Sequence, residues 1–217
     1  MDQQPVITLL LKYKKGASNL YNVFIENKIN SKGMIKWANL TGIDNQEWLS
    51  SFSFLKSTTT DTKLRWLQFR ILHSILTTNR SVSKFKQNQS HLCSFCNQHS
   101  ETIQHLLWHC EHVQNFWNDL TIMLNTRCRH AHNFRVNEKL VYFGKCDLLF
   151  TDNTCDIILL LAKSFIYKCK VQGRRLNKIC FIRELHDRYI VEKYIAENST
   201  EFKNKWMPYQ GLFKSIM

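Results

Sequence analysis

Cys93-Ser94-Phe95-Cys96-Asn97-Gln98-His99-Ser100-Glu101-Thr102-Ile103-Gln104-His105-Leu106-Leu107-Trp108-His109-Cys110 is the stretch around which the chain is read. Three thiols and an imidazole, Cys93, Cys96, His105 and Cys110, supply the ligand set of a closed tetrahedral Zn²⁺ site. A two-residue gap lets one tight turn aim both sulfurs at one point, and His105 and Cys110 then arrive from a second element. Glu101 to Trp108 reads as a short helix with Ser100 as its N-cap and Glu101 near its N-terminus. Five residues along an ideal helix turn about 140° past a full circle. The helix is therefore expected to end or bend near Trp108–Cys110, swinging Cys110 back to the metal, with a second helix from Glu111. Two other sets compete. His109 and His112 stand too close together for the usual finger spacing, whereas His105 and His109, four apart on one face, form a better rival in which His109 replaces Cys110. Ordinary buried cysteines and surface histidines are the plain alternative.

Upstream lies Leu64-Arg-Trp-Leu-Gln-Phe-Arg-Ile-Leu-His-Ser-Ile-Leu-Thr-Thr-Asn79. This run, the Cys-x₂-Cys pair, Glu101-Thr102, His105-Leu106, Cys110 and Trp117 together resemble the zinc-binding region that follows the reverse transcriptase domain in non-LTR (LINE-type) retrotransposon proteins. The likeness takes in Trp37 and Trp48, then Ile158 to Tyr167 and Glu192 to Ala196, and so covers residues 18 to 198. In that family a proline often follows the last cysteine, and here Glu111 stands there. The resemblance implies an accessory role, holding template RNA or target DNA, without polymerase activity of its own.

Net charge is +13 with 44% hydrophobic and 12% aromatic residues. The chain is globular rather than disordered, and its charge favours a polyanionic partner, RNA or DNA before membrane; simple solubility is the other account of that charge. Six glycines and two prolines in 217 residues specify few turns, which favours long helices. Asp2 and the short apolar run Val6–Leu11 argue against a secretory signal, and no stretch has the roughly 18 apolar residues of a membrane span. The expected location is intracellular, nuclear or cytoplasmic, where the eight cysteines stay reduced or bind metal.

In chain order, residues 1–17 form an entry segment. Ser18 caps a helix to Ile29, Gly33 ends a linker, Met34–Leu40 is helical up to Gly42, and Asp44 caps Asn45–Phe54. Trp37 and Trp48 are core anchors. From Asp61, Leu64, Leu67, Ile71 and Ile75 repeat at helical spacing as far as Thr77–Asn79. Arg80, Lys84 and Lys86 then flank Phe85, the mixture of cations and an aromatic that suits single-stranded nucleic acid. The same run is equally readable as a solvated loop with Phe85 as a core plug. Phe116, Trp117, Leu120 and Leu124 continue a helix. Cys128, His130 and His132 fall in a polar loop and make a poor second metal set. Leu140–Phe143 reads as an extended segment ended by Gly144. Ile157–Val171 and Lys178–Glu197 pair as a hairpin with Ile182, Leu185, Tyr189 and Ile195 inward. Lys163, Lys168, Lys170, Arg174 and Arg175 cluster near its connection, in part complementing the helix dipole.

No adjacent aspartate pair of a polymerase, Gly-rich phosphate loop or Ser-His-Asp pattern is present. The expectation is a mostly α protein: an irregular helical array with one zinc knuckle and a C-terminal helical hairpin. Its parts are an entry segment (1–17), a helical zinc-binding domain (18–150, zinc motif 93–110), the hairpin packed on it (151–198) and a loosely held tail (199–217). Zn²⁺ is structural, four protein ligands leaving no open position, and no small-molecule substrate is expected. Nucleic-acid contacts are assigned to Arg80, Lys84, Phe85, Lys86, Lys168, Lys170, Arg174 and Arg175. A zinc-stabilised protein-interaction module is the alternative function, and a zinc hydrolase a third.

Overall fold

The computed structural model describes residues 31–127, 134–144, 153–196 and 199–213. The helix expected at Ser18–Ile29, the entry segment and the loop with Cys128, His130 and His132 lie outside them. Among the described residues the chain is helical, and its sole extended pairing is an isolated antiparallel bridge between Leu92 and Ser100.

Three short helices open the described part. α1 (Lys32–Thr41) starts at Ser31, whose hydroxyl accepts from the Met34 amide, and stops at Gly42, left-handed with φ 68°. α2 (Asn45–Thr58) begins with a reciprocal capping box between Asp44 and Glu47. α3 (Thr62–Leu72) is capped by Asp61, which accepts from the Lys63 and Leu64 amides. Gly33 does not end a linker. It lies inside α1, where an added Cβ would stand 2.6 Å from both His73 Cα and Leu72 O. The absent side chain lets α1 ride on the backbone that closes α3. Trp37, one turn on, donates its indole N–H to Ile71 O at 3.0 Å and is buried, as expected of a core anchor.

α3 ends five residues or more before the expected Thr77–Asn79. Ser74 adopts φ 56°, and the amides of Ile75 and Leu76 both donate back to Arg70 O. The turn buries Leu76 and leaves Ile75 outside, so the apolar stripe is not one helix face. α4 (Asn79–Val82) follows, capped by Thr78.

Beyond the metal motif, α5 (Glu111–Arg127) buries Phe116, Trp117, Leu120 and Leu124. Leu140–Phe143 is helical rather than extended: α6 (Glu138–Phe143) is capped by Asn137, whose Oδ1 accepts from the Leu140 amide at 2.8 Å. A short apolar run is compatible with either state, and the cap together with burial of Val141, Tyr142 and Phe143 selects helix.

Among the described residues α7 (Asn153–Gln172) is a largely buried helix. Ile157, Ile158, Leu159, Leu160, Ala162 and Ile166 are each no more than 2% exposed, so the helix is covered on most of its circumference. It packs against α2, α3 and the metal motif, and also against α8 (Lys178–Ala196) through Phe165 and Phe181, whose ring centroids are 5.5 Å apart. Lys163 does not join the surface cations. It is 1% exposed and donates to Gln68 Oε1, while Gln68 Nε2 donates to Tyr142 O. The buried ammonium thus ends in a chain of hydrogen bonds linking α7, α3 and α6.

On α8, Ile182 and Leu185 point inward as expected, but Ile195 is exposed and Phe181 takes the core position. Residues 199–213 are packed rather than loose. α9 (Thr200–Trp206), a 3₁₀ turn (Met207–Tyr209) and α10 (Gln210–Phe213) bury Phe202, Trp206, Tyr209, Leu212 and Phe213. Tyr189 collects three of those rings, Phe202, Trp206 and Phe213, within 5.7 Å. Aromatic burial on this scale is enough to hold a segment that carries few helix-specifying signals.

Candidate metal centre

The motif is built in two halves. The first is a turn: the Asn97 amide donates to Cys93 O, and Asn97 itself takes φ 55°. Cys93 N–H then donates to His99 O and Glu101 N–H to His91 O, so the turn is stitched at its neck. The second half is helical, with a different start from the one expected. Ser100 is occupied in the bridge to Leu92. Thr102 caps instead, its Oγ1 accepting from the His105 amide at 3.0 Å.

The five-residue step from His105 to Cys110 is accommodated by a π-turn (His105–His109). Cys110 N–H donates to His105 O at 3.0 Å, an i→i+5 bond. The wider turn returns position 110 to the side of position 105, which an α-helix would not do. Cys110 is then extended, at φ −68° and ψ 129°, and α5 starts at Glu111. The expected break is present without a proline.

Cys93, Cys96, His105 and Cys110 converge, their ligand atoms all lying within 4.8 Å of one another. Ligand sulfurs 2.3 Å from a tetrahedral ion stand about 3.8 Å apart, and a sulfur–nitrogen pair about 3.6 Å. Cys93 Sγ and Cys110 Sγ are 3.8 Å apart, and Cys96 Sγ and His105 Nε2 are 3.3 Å apart. The four groups therefore fit a tetrahedral metal ion. Cys93, His105 and Cys110 are buried and Cys96 is half-buried. Burial, helped by the nearby His99 and His109, holds the His105 imidazole below its ordinary pKa and so neutral, as a ligand must be. The hydrogen bond between Cys93 and Cys110 raises the Cys93 thiol and lowers that of Cys110. His109 is directed elsewhere, its Nε2 lying 2.9 Å from Glu138 Oε1.

Residues 20–117 match the family described as zinc-binding in reverse transcriptase. The matched region runs through the whole Cys93–Cys110 motif to Trp117, whose indole N–H donates to Leu107 O at 2.8 Å and so pins α5 to the π-turn. No curated protein matches the chain significantly. No helix among the described residues is long and apolar enough to cross a membrane.

Sequence reasoning missed the central role of Glu101. It is fully buried, and Oε2 accepts from the Ser94 amide at 2.8 Å and the Ser94 hydroxyl at 2.7 Å. Oε1 accepts from the Asn79 amide at 2.8 Å and faces Lys170 Nζ at 3.4 Å. Glu101 thus ties the Cys-x₂-Cys turn to α4 and to the end of α7. No local pattern distinguishes this carboxylate from a helix-start glutamate, because three of its four donors come from residues 79 and 94.

The residues assigned to nucleic acid divide by environment. Arg80, Lys84, Phe85 and Lys86 are exposed, and Phe85, at 87%, is no core plug. Arg80 and Lys84 line a cleft of about 630 Å³ together with Lys36, which comes from α1 and carries no signal in its own neighbourhood. The Lys36 ammonium is held below its ordinary pKa by burial and by the Arg80 and Lys84 charges. Glu138, the carboxylate on the cleft wall, is engaged by His109 and by Tyr142. Lys168 pairs with Glu184 at 2.8 Å, and Lys170 donates to Thr77 O and faces Glu101, so both are at least partly structural. Arg174 and Arg175 are exposed.

Proposed function

We propose that the Cys93, Cys96, His105 and Cys110 site holds a structural Zn²⁺, and that the chain is a nucleic-acid-binding accessory region of a non-LTR retrotransposon reverse transcriptase, acting apart from the catalytic domain. Three thiolates and an imidazole suit Zn²⁺, and four protein ligands leave no position for a substrate or catalytic water. The hydrolase alternative therefore has no chemical support. The observation that carries the binding reading is Phe85, 87% exposed between Lys84 and Lys86 beside the Lys36–Arg80–Lys84 cleft. An exposed aromatic is held there at the cost of unburied apolar surface, and it offers a stacking face to an unpaired base beside charges that meet the phosphates. A solvated loop accounts for the lysines but not for the ring.

The test is a titration with RNA and DNA, single- and double-stranded, at several salt concentrations. The wild type is expected to bind with steep salt dependence. A Lys84→Glu, Lys86→Glu double variant should bind more weakly across sequences, with a salt slope smaller by about one unit per contacting cation lost. Phe85→Ala should weaken single strands more than duplexes, by about 1–3 kcal/mol. A folded double variant that keeps the parental affinity and slope would remove this segment from the interface. The protein-interaction alternative rests on a different surface, where Trp66 is 56% exposed and stacked on Phe69. It predicts that Trp66→Ala changes partner binding while nucleic-acid affinity stays negligible in every variant.

A further inference from the structure

The metal motif walls a second cleft, of about 650 Å³, that shares no lining residue with the first. Phe95 and Asn97 of the Cys-x₂-Cys turn, His112 and Asn115 of α5, and Arg174 and Arg175 all line it. The arginines follow Gly173, whose φ of 62° turns the chain out of α7 and leaves both guanidiniums exposed. Among the described residues no carboxylate pairs with either arginine. The acid on the wall, Asp119, is already neutralised by Lys178 at 3.1 Å. The turn and the end of α7 are tied to each other: Ser94, which also lines the cleft, is bonded to Glu101, and Glu101 faces Lys170, three residues before Gly173. The turn and the end of α7 are therefore held in one relative geometry, and among the described residues no acid pairs with the two arginines that line the cleft.

We infer that this second cleft is an independent site for a phosphodiester backbone, so that one molecule holds two nucleic-acid segments at once, one on each cleft. The inference rests on the nucleic-acid reading above and extends it from one strand to two. Guanidinium forks match phosphate oxygens in a paired geometry that lysines lack. Asn97 and Asn115 add neutral donors, and the half-buried Phe95 gives the sugar–base side of a strand an apolar surface. An acidic peptide would satisfy the arginines but would leave the aromatic wall without a planar partner.

The experiment counts strands. Single strands of about four nucleotides, the lower end of what one nucleic-acid site covers, are titrated against the zinc-loaded full chain and the complexes counted by native mass spectrometry. Arg174→Glu/Arg175→Glu is compared with Arg80→Glu/Lys84→Glu, and melting temperature checks that each variant is folded. Two strands are expected on the wild type, one on each double variant and none on the quadruple variant. Saturation at one strand, with Arg174→Glu/Arg175→Glu unchanged in affinity and salt slope, would overturn the second site and leave the first reading standing. No strand on the wild type at any salt would overturn both. Binding of a poly-glutamate peptide, lost on Arg174→Glu/Arg175→Glu while strand count is unaffected, would reassign the cleft to an acidic protein.

Discussion

Cys110 shows how one residue's position sets local backbone geometry. Placed five after His105, it reaches the same point as His105 because its amide bonds five residues back. Replacing either cysteine of the buried pair, Cys93→Ser or Cys110→Ser, is expected to lower zinc content and destabilise residues 80–124, since structural zinc contributes folding free energy directly. Metal analysis beside thermal melting checks this; full occupancy with unchanged melting in both variants would refute it. Glu101 acts at the same scale without touching the metal. Its removal takes the carboxylate from Lys170, which keeps Thr77 O, and leaves the Asn79 and Ser94 amides and the Ser94 hydroxyl without their acceptor. Glu101→Ala is expected to cost about 3–5 kcal/mol and to weaken zinc affinity by about 10–100-fold, as loss of an outer-shell partner does. Urea unfolding and a competitive zinc titration read the two effects separately.

Among the elements, α1 and α3 depend on a side chain that is missing. Because a Cβ at Gly33 would meet backbone of Leu72 and His73 at 2.6 Å, no rotamer change relieves it. Gly33→Ala should destabilise by about 1–3 kcal/mol, the range of overpacked sites, although alanine favours helix more than glycine does. A gain in melting temperature would show that α1 is free to shift. The C-terminal elements rest on Glu192 of α8, which accepts from Lys205 and from the Trp206 indole at 2.7 Å. Burial alone would raise its pKa, but the bonds from Lys205, Trp206 and Arg188 outweigh it and hold the carboxyl below its ordinary value. A folded value below the unfolded one, about 4.3, means that the stabilisation is present above that pH and is lost as pH falls through the folded value. The stability gap between wild type and Glu192→Gln is therefore expected to be full at pH 7 and to shrink below about pH 4. A gap independent of pH would show that Glu192 acts by shape alone.

Among the described residues, α7 is covered on most of its circumference, the metal motif packs against it, and the two basic clefts are drawn partly from that motif. The net charge of +13 is consequently unevenly used. Lys163 lies in the core, while Lys168 and Lys170 are tied to carboxylates. Lys36, Arg80 and Lys84 meet in one cleft, and Arg174 and Arg175 line the other. Salt sensitivity should follow that division. Charge reversal at Lys168, paired with Glu184, is expected to leave the salt slope of nucleic-acid binding unchanged, whereas reversal at Arg80 reduces it by about one unit. Equal effects at the two positions would mean that net charge, not the clefts, governs binding.

Much of this was legible in the residues themselves, wherever a decision is local. Cap residues Asp44, Asp61 and Asn177 accept from amides two or three positions on, so they mark helix starts without help from the rest of the chain. The Cys-x₂-Cys turn and the helix break before Glu111 are likewise settled by spacing. What the sequence could not decide was anything whose partner lies far along the chain. Leu140–Phe143 is helical because its burial against Trp37, with Tyr142 at 4.6 Å, complements a cap that a strand would leave unused. Gly33 reads as punctuation until His73 is seen beneath it. Residues 200–213 read as a loose tail until Tyr189 and Glu192 supply the rings and the carboxylate that hold them. Cations scattered over more than a hundred positions become two clefts only when α1, α4 and the α7–α8 connection are brought to the motif. Charge and hydrophobicity are properties of single residues, whereas burial, pairing and the space between side chains belong to the folded chain.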